Sequence, residues 1–178
     1  MEQNYTYLFN ICGSVPGDYV PKNCRAVPGV AGAAALQINK RDTPSDNDDW
    51  CYLVGTEASS KVTLLNQDDP TAGLRLTYYG DYCHGSNSPR KFQIDLSCYD
   101  KMNPVPLHAF ETGPCEYTIS MPSVYGCPLE CPVANRHLCG GNGHCAYDDD
   151  KGGARCFCNN GKSSFSCLFF LPVILCRL

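Results

Sequence analysis

The segment from Phe110 to Tyr117, FETGPCEY, places three side chains with useful chemistry close together. Glu111 lies four positions before Cys115, and Tyr117 lies two positions after it. An ionised carboxylate accepts strong hydrogen bonds, and a phenol both donates and accepts them. A disulfide at Cys115 would hold both groups in place. The simpler interpretation is a turn that leads into a strand, and the choice between the two depends on the rest of the chain.

The cysteine content indicates an oxidising compartment. The 178 residues include 14 cysteines, whereas cytosolic thiols are kept reduced. The net charge of −4 gives no basis for binding nucleic acid or an acidic membrane surface. We therefore expect a protein of the secretory or endosomal lumen (ER, Golgi or lysosome) or of the extracellular space, with no nucleic-acid partner.

The two ends of the chain do not fit a complete secreted protein. The start, MEQNYTYLFN, has neither the basic nor the apolar part of a leader. Residues 168–175 form an apolar run interrupted by Pro172, and crossing a bilayer takes about 20 apolar residues. Two interpretations stay open. The favoured one is a fragment without its leader and with 168–178 as a truncated single-pass membrane anchor; the other is a soluble chain.

Short runs rich in β-branched and aromatic residues predict an all-β domain over residues 1–127. Gly, Pro, Asn and Asp separate the runs, which is typical of strands joined by turns. The runs KFQIDLSC (91–98) and CEYTISM (115–121) alternate apolar and polar residues, as half-buried antiparallel strands do. The remaining runs cover 5–12, 34–39, 50–56, 61–67 and 74–79. Strands at this spacing predict a sandwich or a flattened barrel.

Six cysteines from Cys131 to Cys167 predict a second, disulfide-rich module. Between them lie seven, five, ten, one and eight residues. So short a segment cannot bury enough apolar surface to fold without covalent help. The alternative is a zinc site near His137 and His144. Paired C-x-x-C knuckles are missing, however, so we expect no metal.

This spacing, together with CGGNGHC and CFCNNG, resembles an epidermal growth factor-like (EGF-like) module over residues 128–167. The resemblance implies the disulfides Cys131–Cys145, Cys139–Cys156 and Cys158–Cys167. Calcium-binding members carry acidic residues before the first cysteine, where this chain has only Glu130. We therefore expect no calcium and interpret Asp148, Asp149 and Asp150 as a solvated turn.

Five stretches resemble, in order, the mannose 6-phosphate receptor homology (MRH) domain: YLFNICGSV, AALQINK, LRLTYYGDYC, PRKFQIDLSC and FETGPCEYTISMPSVYGC. The similarity runs from about residue 5 to residue 127. It implies a lectin with a flattened β-barrel of two packed antiparallel sheets, which binds mannose or mannose 6-phosphate on N-linked glycans. It also implies the disulfides Cys12–Cys24, Cys83–Cys115 and Cys98–Cys127. For the remaining Cys51 and Cys176 three fates are open: pairing with a missing region, staying reduced, or bonding to each other.

The MRH family recognises mannose with a glutamine, an arginine, a glutamate and a tyrosine. Each has a match at the expected distance from a cysteine: Gln37, Arg90, Glu111 and Tyr117. A guanidinium can hold two adjacent hydroxyl oxygens, a carboxylate accepts hydroxyl protons, and an amide or a phenol can do either. The resemblance therefore predicts a carbohydrate site made of these four residues, with no catalytic residue, no cofactor and no metal.

Each of the four residues also has a simpler interpretation. Arg90 and Glu111 could form a surface ion pair, which would contribute about 1 kcal/mol at most. Tyr117 has the same parity as Ile119 and could be an ordinary tyrosine at the edge of the core. Gln37 is out of phase with its apolar neighbours and could face solvent. Four correct residue types at four correct offsets favour the sugar site.

Phosphate recognition has weaker support than mannose recognition. Asp81, two positions before Cys83, would repel a phosphate unless a divalent cation bridged them. We expect neutral mannose on high-mannose glycans, while mannose 6-phosphate stays open. The expected role is glycoprotein sorting or quality control.

Two other classes of function compete with the lectin. The main alternative is a protein-interaction or adhesion module that uses the EGF-like segment. An enzyme is not expected, because the four histidines lie in turn-like sequence without a nucleophile or metal motif. Asn4-Tyr5-Thr6 is an N-glycosylation acceptor, which agrees with a lumenal location.

Overall fold

The computed structural model describes residues 5–39 and 50–159. Within these ranges the chain is all-β, which confirms the predicted fold class. The strands are β1 Tyr5–Phe9, β2 Ala33–Asn39, β3 Trp50–Thr56, β4 Lys61–Leu64, β5 Gly73–Cys83, β6 Ser88–Ser97, β7 Ala109–Gly113, β8 Glu116–Ser120, β9 Val133–Ala134, β10 His137–Leu138, β11 Gly143–Asp148 and β12 Gly153–Cys158. Short 3₁₀ helices lie between them at Gly17–Tyr19, Lys22–Ala26, Val30–Gly32, Glu57–Ser59, Pro70–Ala72, Val124–Gly126 and Cys139–Gly141.

The strands form two larger sheets and two small hairpins. One sheet has the antiparallel order β1-β2-β3, and the other has the order β4-β5-β6-β8-β7. The hairpins are β9–β10 and β11–β12. The alternation predicted for β6 is confirmed, because Phe92, Ile94 and Leu96 are buried and the residues between them are half-buried.

Contacts divide the chain into two compact units. Unit 1 comprises 1–61, 76–94 and 108–119, and unit 2 comprises 62–75, 95–107 and 120–178. The domain boundaries given by the sequence, 1–127 and 128–167, stay predictions.

In unit 1, the β1-β2-β3 sheet packs through both of its faces. On one face, Leu36, Ile38 and Leu53 form a core cluster with Cys24 and with the segment that carries the first 3₁₀ helices. On the other face, the rings of Tyr7 and Phe9 lie 6.1 and 5.6 Å from the ring of Phe92 on β6. Burial of β2 on both sides explains why its sequence, AAALQIN, is almost continuously apolar.

Unit 2 has its own small core, in which disulfides supply much of the buried material. Val124, Leu138 and the cysteines 131, 139 and 156 form the buried cluster, with Met102 packed against it. The sulfurs of those three cysteines lie within 4.8 Å of one another, but each belongs to a disulfide and offers no thiolate to a metal. An ion pair of 2.6 Å between Arg155 and Asp148 links the two strands of the β11–β12 hairpin.

Four of the implied disulfides are formed, namely Cys83–Cys115, Cys98–Cys127, Cys131–Cys145 and Cys139–Cys156. The implied Cys12–Cys24 bridge is wrong, because Cys24 bonds to Cys51, with their Cα atoms 5.4 Å apart. Cys24 is fully buried and Cys51 packs on the same core cluster, whereas Cys12 is exposed. None of the three fates considered for Cys51 is therefore correct.

Several predictions fall on residues that the structure does not describe. Cys158 is in a disulfide, but its implied partner Cys167 lies outside the described residues, as do Asn4, the apolar tail 168–178 and Cys176. Across residues 5–39 and 50–159, no helix has the length and apolar character needed to span a bilayer.

Candidate functional site

A row of three polar and aromatic residues crosses the β1-β2-β3 sheet in unit 1. Gln37 lies directly opposite Tyr7 on one side and opposite Tyr52 on the other. The Nε2 atom of Gln37 donates a hydrogen bond of 3.0 Å to the hydroxyl of Tyr7. Gln37 is only 2% exposed, so the interpretation in which it faces solvent is wrong. Its amide is held inside the protein by a neighbour on the next strand.

Arg90, on β6, connects this row to the second sheet. Its guanidinium carbon lies 4.1 Å from the centre of the Tyr52 ring, which is a cation–π contact. Its Nη1 atom donates to the hydroxyl of Tyr117 at 3.1 Å and lies 3.4 Å from the Sγ atom of Cys115. The Nε donor of Arg90 is buried and has no acceptor among the described residues.

Tyr117, on β8, closes the network. Its ring lies 5.5 Å from that of Tyr7, and it is 3% exposed. Ile119 is buried too, but so is Thr118 between them, so the alternation predicted for this strand does not show in its burial. The Tyr117 hydroxyl is nevertheless bonded to Arg90, so this side chain is both part of the core and part of the polar network.

Glu111, on the neighbouring strand β7, lies directly opposite Tyr117. Its Oε1 atom accepts a hydrogen bond of 2.8 Å from the backbone N–H of Cys115. Cys115 has a left-handed φ of 60° and is bonded to Cys83. The carboxylate therefore stabilises the turn that carries the disulfide, in place of the surface ion pair with Arg90 that the sequence allowed.

Asp81, on β5, adds a second carboxylate close to Arg90. Partial burial raises the pKa of Asp81 above its ordinary value, while the charge of Arg90 and a backbone hydrogen bond at Leu53 oppose that rise. The side chain stays largely exposed. One cation and two carboxylates thus lie in or beside the network, which gives it no net positive charge to attract a phosphate.

The four predicted residues belong to one chain of contacts. It runs from Gln37 to Tyr7, from Tyr7 to Tyr117, from Tyr117 to Arg90, and through Cys115 to Glu111. Gln37 and Tyr117 form its buried end, whereas Glu111 is exposed and Arg90 is half-buried. A ligand would therefore meet the guanidinium and the carboxylate first.

Three members of the network were missed by sequence reasoning: Tyr7, Tyr52 and Asp81. Tyr7 and Tyr52 enter it because they lie opposite Gln37 on the flanking strands. The alternation within β1 and β3 could have given their parity, but only the pairing register shows that they meet Gln37. Asp81 was noted only for its charge, and nothing in the sequence brought it close to Arg90.

No protein-family model matches the chain, and neither does any curated protein. Among solved structures, the chain is similar to the solution structure of the MRH domain of Yos9 complexed with alpha3,alpha6-Man5, at 18% sequence identity and a TM-score of 0.36. The alignment covers 52% of this chain and 65% of that domain. A TM-score this low does not establish a shared fold, so the site has to be judged by its own geometry.

Proposed function

We propose that the network around Arg90 binds mannose and that the protein is a lectin for N-linked glycans. The observation that carries the proposal is the contact chain that joins Gln37, Arg90, Glu111 and Tyr117, four residues from four different strands. Buried polar networks of this kind are rigid when most of their bonds are made. The half-buried Arg90 and the exposed Glu111 leave polar groups that a ligand can reach.

The chemistry of the network fits hydroxyl groups. Arg90 offers donors in a planar fork, and Glu111 has a second carboxylate oxygen besides the one that accepts from Cys115. Adjacent hydroxyls of a hexose can accept from the first and donate to the second. Because the network is held by the Cys83–Cys115 bridge and by Tyr52, little ordering entropy would be lost on binding.

Neutral mannose fits this site better than its 6-phosphate. The carboxylates of Asp81 and Glu111 offset the charge of Arg90, and a phosphate beside them would be repelled. The disulfides that stabilise both units favour an oxidising compartment. We therefore propose action on high-mannose glycoproteins in the secretory pathway or outside the cell, without intrinsic catalysis.

A glycan array with the full chain and two arginine variants tests the proposal. The wild type should bind mannose-terminated glycans, and Arg90→Ala should lose at least tenfold in affinity, since it removes the fork of donors. Arg90→Lys keeps a positive charge at this position and should therefore disturb folding less than Arg90→Ala. It should lose binding as well, because an ammonium cannot reproduce the fork.

Lys91→Ala is the matched control for these arginine variants. Lys91 is the next residue on β6, and its ammonium is ion-paired with Glu116 at 2.6 Å, so its loss should leave glycan binding unchanged. A wild-type chain that ignores mannose-terminated glycans, or a folded Arg90→Lys variant that binds them as well as wild type does, would overturn the proposal. Binding of a protein partner by the EGF-like segment without any sugar would favour the alternative function.

A further inference from the structure

A cleft of about 430 Å³ in unit 2 lies between the loop that follows β6 and the turn of the β9–β10 hairpin. It is here called the loop–turn cleft. Its polar lining comes from Asp100, Lys101 and Asn103 on the loop and from Asn135, Arg136 and His137 on the turn. Three of these side chains are basic and one is acidic, in a chain whose net charge is −4. The excess of basic groups is therefore a local property of this cleft.

The carboxylate of Asp100 is engaged by the start of β10. Its Oδ1 atom accepts a hydrogen bond of 2.7 Å from the backbone N–H of Leu138, and its Oδ2 atom lies 3.1 Å from Nδ1 of His137. Asp100 thus holds the imidazole through Nδ1, so a ligand in the cleft would meet Nε2. The single negative charge of Asp100 offsets only one of the two charges of Lys101 and Arg136. At least one positive charge of the lining is therefore left for a ligand.

Both walls of the loop–turn cleft are anchored in the core of unit 2. On the loop, Met102 packs against the buried cluster, and the backbone N–H of Val124 donates to the carbonyl of Lys101 at 3.0 Å. On the hairpin, Leu138 is buried directly beside His137. Because the backbone of the cleft is already in place, little ordering entropy would be lost when a ligand binds.

The β9–β10 turn carries an arginine where its backbone favours glycine. Asn135 and Arg136 have left-handed φ angles of 54° and 67°, as the two central residues of a type I′ hairpin turn do. Asparagine suits the first position, but the second is usually glycine, because a Cβ atom is disfavoured there. The backbone preference of the turn therefore does not explain Arg136, whereas its place in the lining of the cleft gives the guanidinium a use.

From these charges and donors we infer that the loop–turn cleft is an oxyanion site, which takes one sulfate or phosphate group carried by a ligand. Lys101 and Arg136 would supply charged donors, and the amides of Asn103 and Asn135 would add neutral ones. The planar fork of Arg136 matches two oxygens of such a group. This site is separate from the proposed mannose site, whose four residues all belong to unit 1.

An NMR titration of the full-length wild type with sodium sulfate, sodium phosphate and sodium chloride, at equal ionic strength, tests the site. We expect the Nε–H signal of Arg136 and the backbone N–H signals of Asn103 and Asn135 to move along one saturable curve with sulfate or phosphate. Chloride should give no saturable shift, because a single spherical ion cannot bridge donors on both walls. Shifts with the two oxyanions that are no larger than those with chloride would overturn the inference.

Methyl sulfate and methyl phosphate distinguish an esterified group from the free ions. At least one of them should give the same saturable shifts as its inorganic ion, because the cleft opens to solvent and leaves room for the rest of a ligand. Whether the sulfate or the phosphate ester binds more tightly then identifies the group that the ligand carries. Binding of the free ions alone would contradict a site for a group carried by a ligand.

Arg136→Gly separates binding from folding. Glycine suits the left-handed φ at this position, so the melting temperature should stay the same or rise, while the affinity for the bound oxyanion should fall about tenfold with the loss of the fork. Lys151→Ala is the matched control, because it removes one positive charge from the β11–β12 turn of the same unit and should leave the affinity unchanged. Wild-type affinity in Arg136→Gly, or equal losses in the two variants, would overturn the site. Either result would leave the mannose proposal standing, since mannose affinity is measured separately.

Discussion

At the scale of single residues, the candidate site depends on the contacts of one guanidinium, that of Arg90. Arg90 stacks on Tyr52, donates to Tyr117 and contacts the sulfur of Cys115. Its Nε atom is buried and has no acceptor within residues 5–39 and 50–159. Glu111 supports it indirectly, by fixing the backbone of Cys115. The guanidinium of Arg90 and the carboxylate of Glu111 therefore have different roles in the network, and substitutions at the two positions should have different effects.

Glu111→Gln should separate the charge of this carboxylate from its structural bond. The glutamine amide oxygen can still accept from the backbone N–H of Cys115, so the turn and the melting temperature should change little. The charge that strengthens hydrogen bonds to sugar hydroxyls is lost, and mannose affinity should fall about tenfold by calorimetry. Glu116→Gln, at the ion pair with Lys91, is the control. Unchanged affinity in Glu111→Gln would argue that the carboxylate serves only the turn.

Asp81→Asn should stabilise the protein slightly at neutral pH. The pKa of Asp81 is raised in the folded state, mainly by burial. The folded protein therefore binds the carboxyl proton of Asp81 more tightly than the unfolded chain does. The charged form thus opposes folding above the folded-state pKa, and this penalty vanishes below the unfolded pKa of about 3.9. Because the group is largely exposed, the gain at pH 7 should stay below about 1 kcal/mol. Urea unfolding at pH 7 and pH 3 measures it, and a less stable variant at pH 7 would contradict this reasoning.

The four candidate site residues could be predicted from the sequence because each lies at the distance from a cysteine that the resemblance implies. Their partners could not. Gln37 was as compatible with solvent as with the interior until its register with Tyr7 and Tyr52 was known. Whether a polar residue of a strand is buried depends on what the other sheet places above it, and that information is not local.

At the scale of elements, two glycines permit the close approach of strands in unit 1. A Cβ atom on Gly55 of β3 would lie 2.5 Å from the Cβ of Tyr78, and one on Gly80 of β5 would overlap the backbone carbonyl of Leu53. These contacts set how closely β5 and β3 pack, and hence where Tyr52 and Asp81 stand relative to Arg90.

Gly80→Ala should therefore destabilise the protein by about 1–3 kcal/mol, the usual cost of overpacking, since a carbonyl oxygen cannot rotate away as a side chain can. Gly17→Ala is the matched control, because its added Cβ would meet nothing within 4 Å. Denaturant unfolding of both variants measures the difference. If Gly80→Ala were as stable as Gly17→Ala, the proposed tight packing of β5 on β3 would be wrong.

Over residues 5–39 and 50–127 the strand pattern was largely predictable, and the omission of β7 has a physical reason. The predicted runs 91–98 and 115–121 correspond to β6 and β8. In β6 the alternation reflects one buried face, whereas in β8 Thr118 is buried together with Tyr117 and Ile119. β7, Ala109–Gly113, was missed although it carries Glu111. It is the last strand of its sheet, and four of its five residues are exposed. An edge strand with little burial on either face leaves no apolar period to detect.

At the scale of the whole molecule, both units contain disulfides, and in unit 2 they supply much of the buried material. Four of the bridges implied by the resemblance are formed, but the exchange of Cys12 for Cys51 as the partner of Cys24 was not predictable. Pairing depends on which sulfur the fold brings to the buried Cys24, and cysteine spacing alone leaves several possibilities open.

Replacing Cys83 and Cys115 by serine should affect stability and binding together. The bridge closes a loop of 32 residues, so its loss should cost about 3–4 kcal/mol. It should also weaken mannose binding, because Cys115 positions Glu111 and contacts Arg90. Serine at Cys131 and Cys145, a bridge within unit 2, should lower stability without changing mannose affinity. Equal effects of the two double variants on binding would contradict a role for the Cys83–Cys115 bridge in the site.

The most direct measurement is an NMR titration of the wild-type protein with methyl α-mannoside, observing the side-chain N–H signals of arginine and glutamine. We expect the Nε–H signal of Arg90 and the amide signals of Gln37 to move together along one saturable curve, while Arg75, which is already paired with Asp95 at 2.7 Å, and Gln93 stay unchanged. Signals of Arg90 and Gln37 that do not respond to mannose, or that respond no more than those of Arg75 and Gln93, would contradict the proposed site.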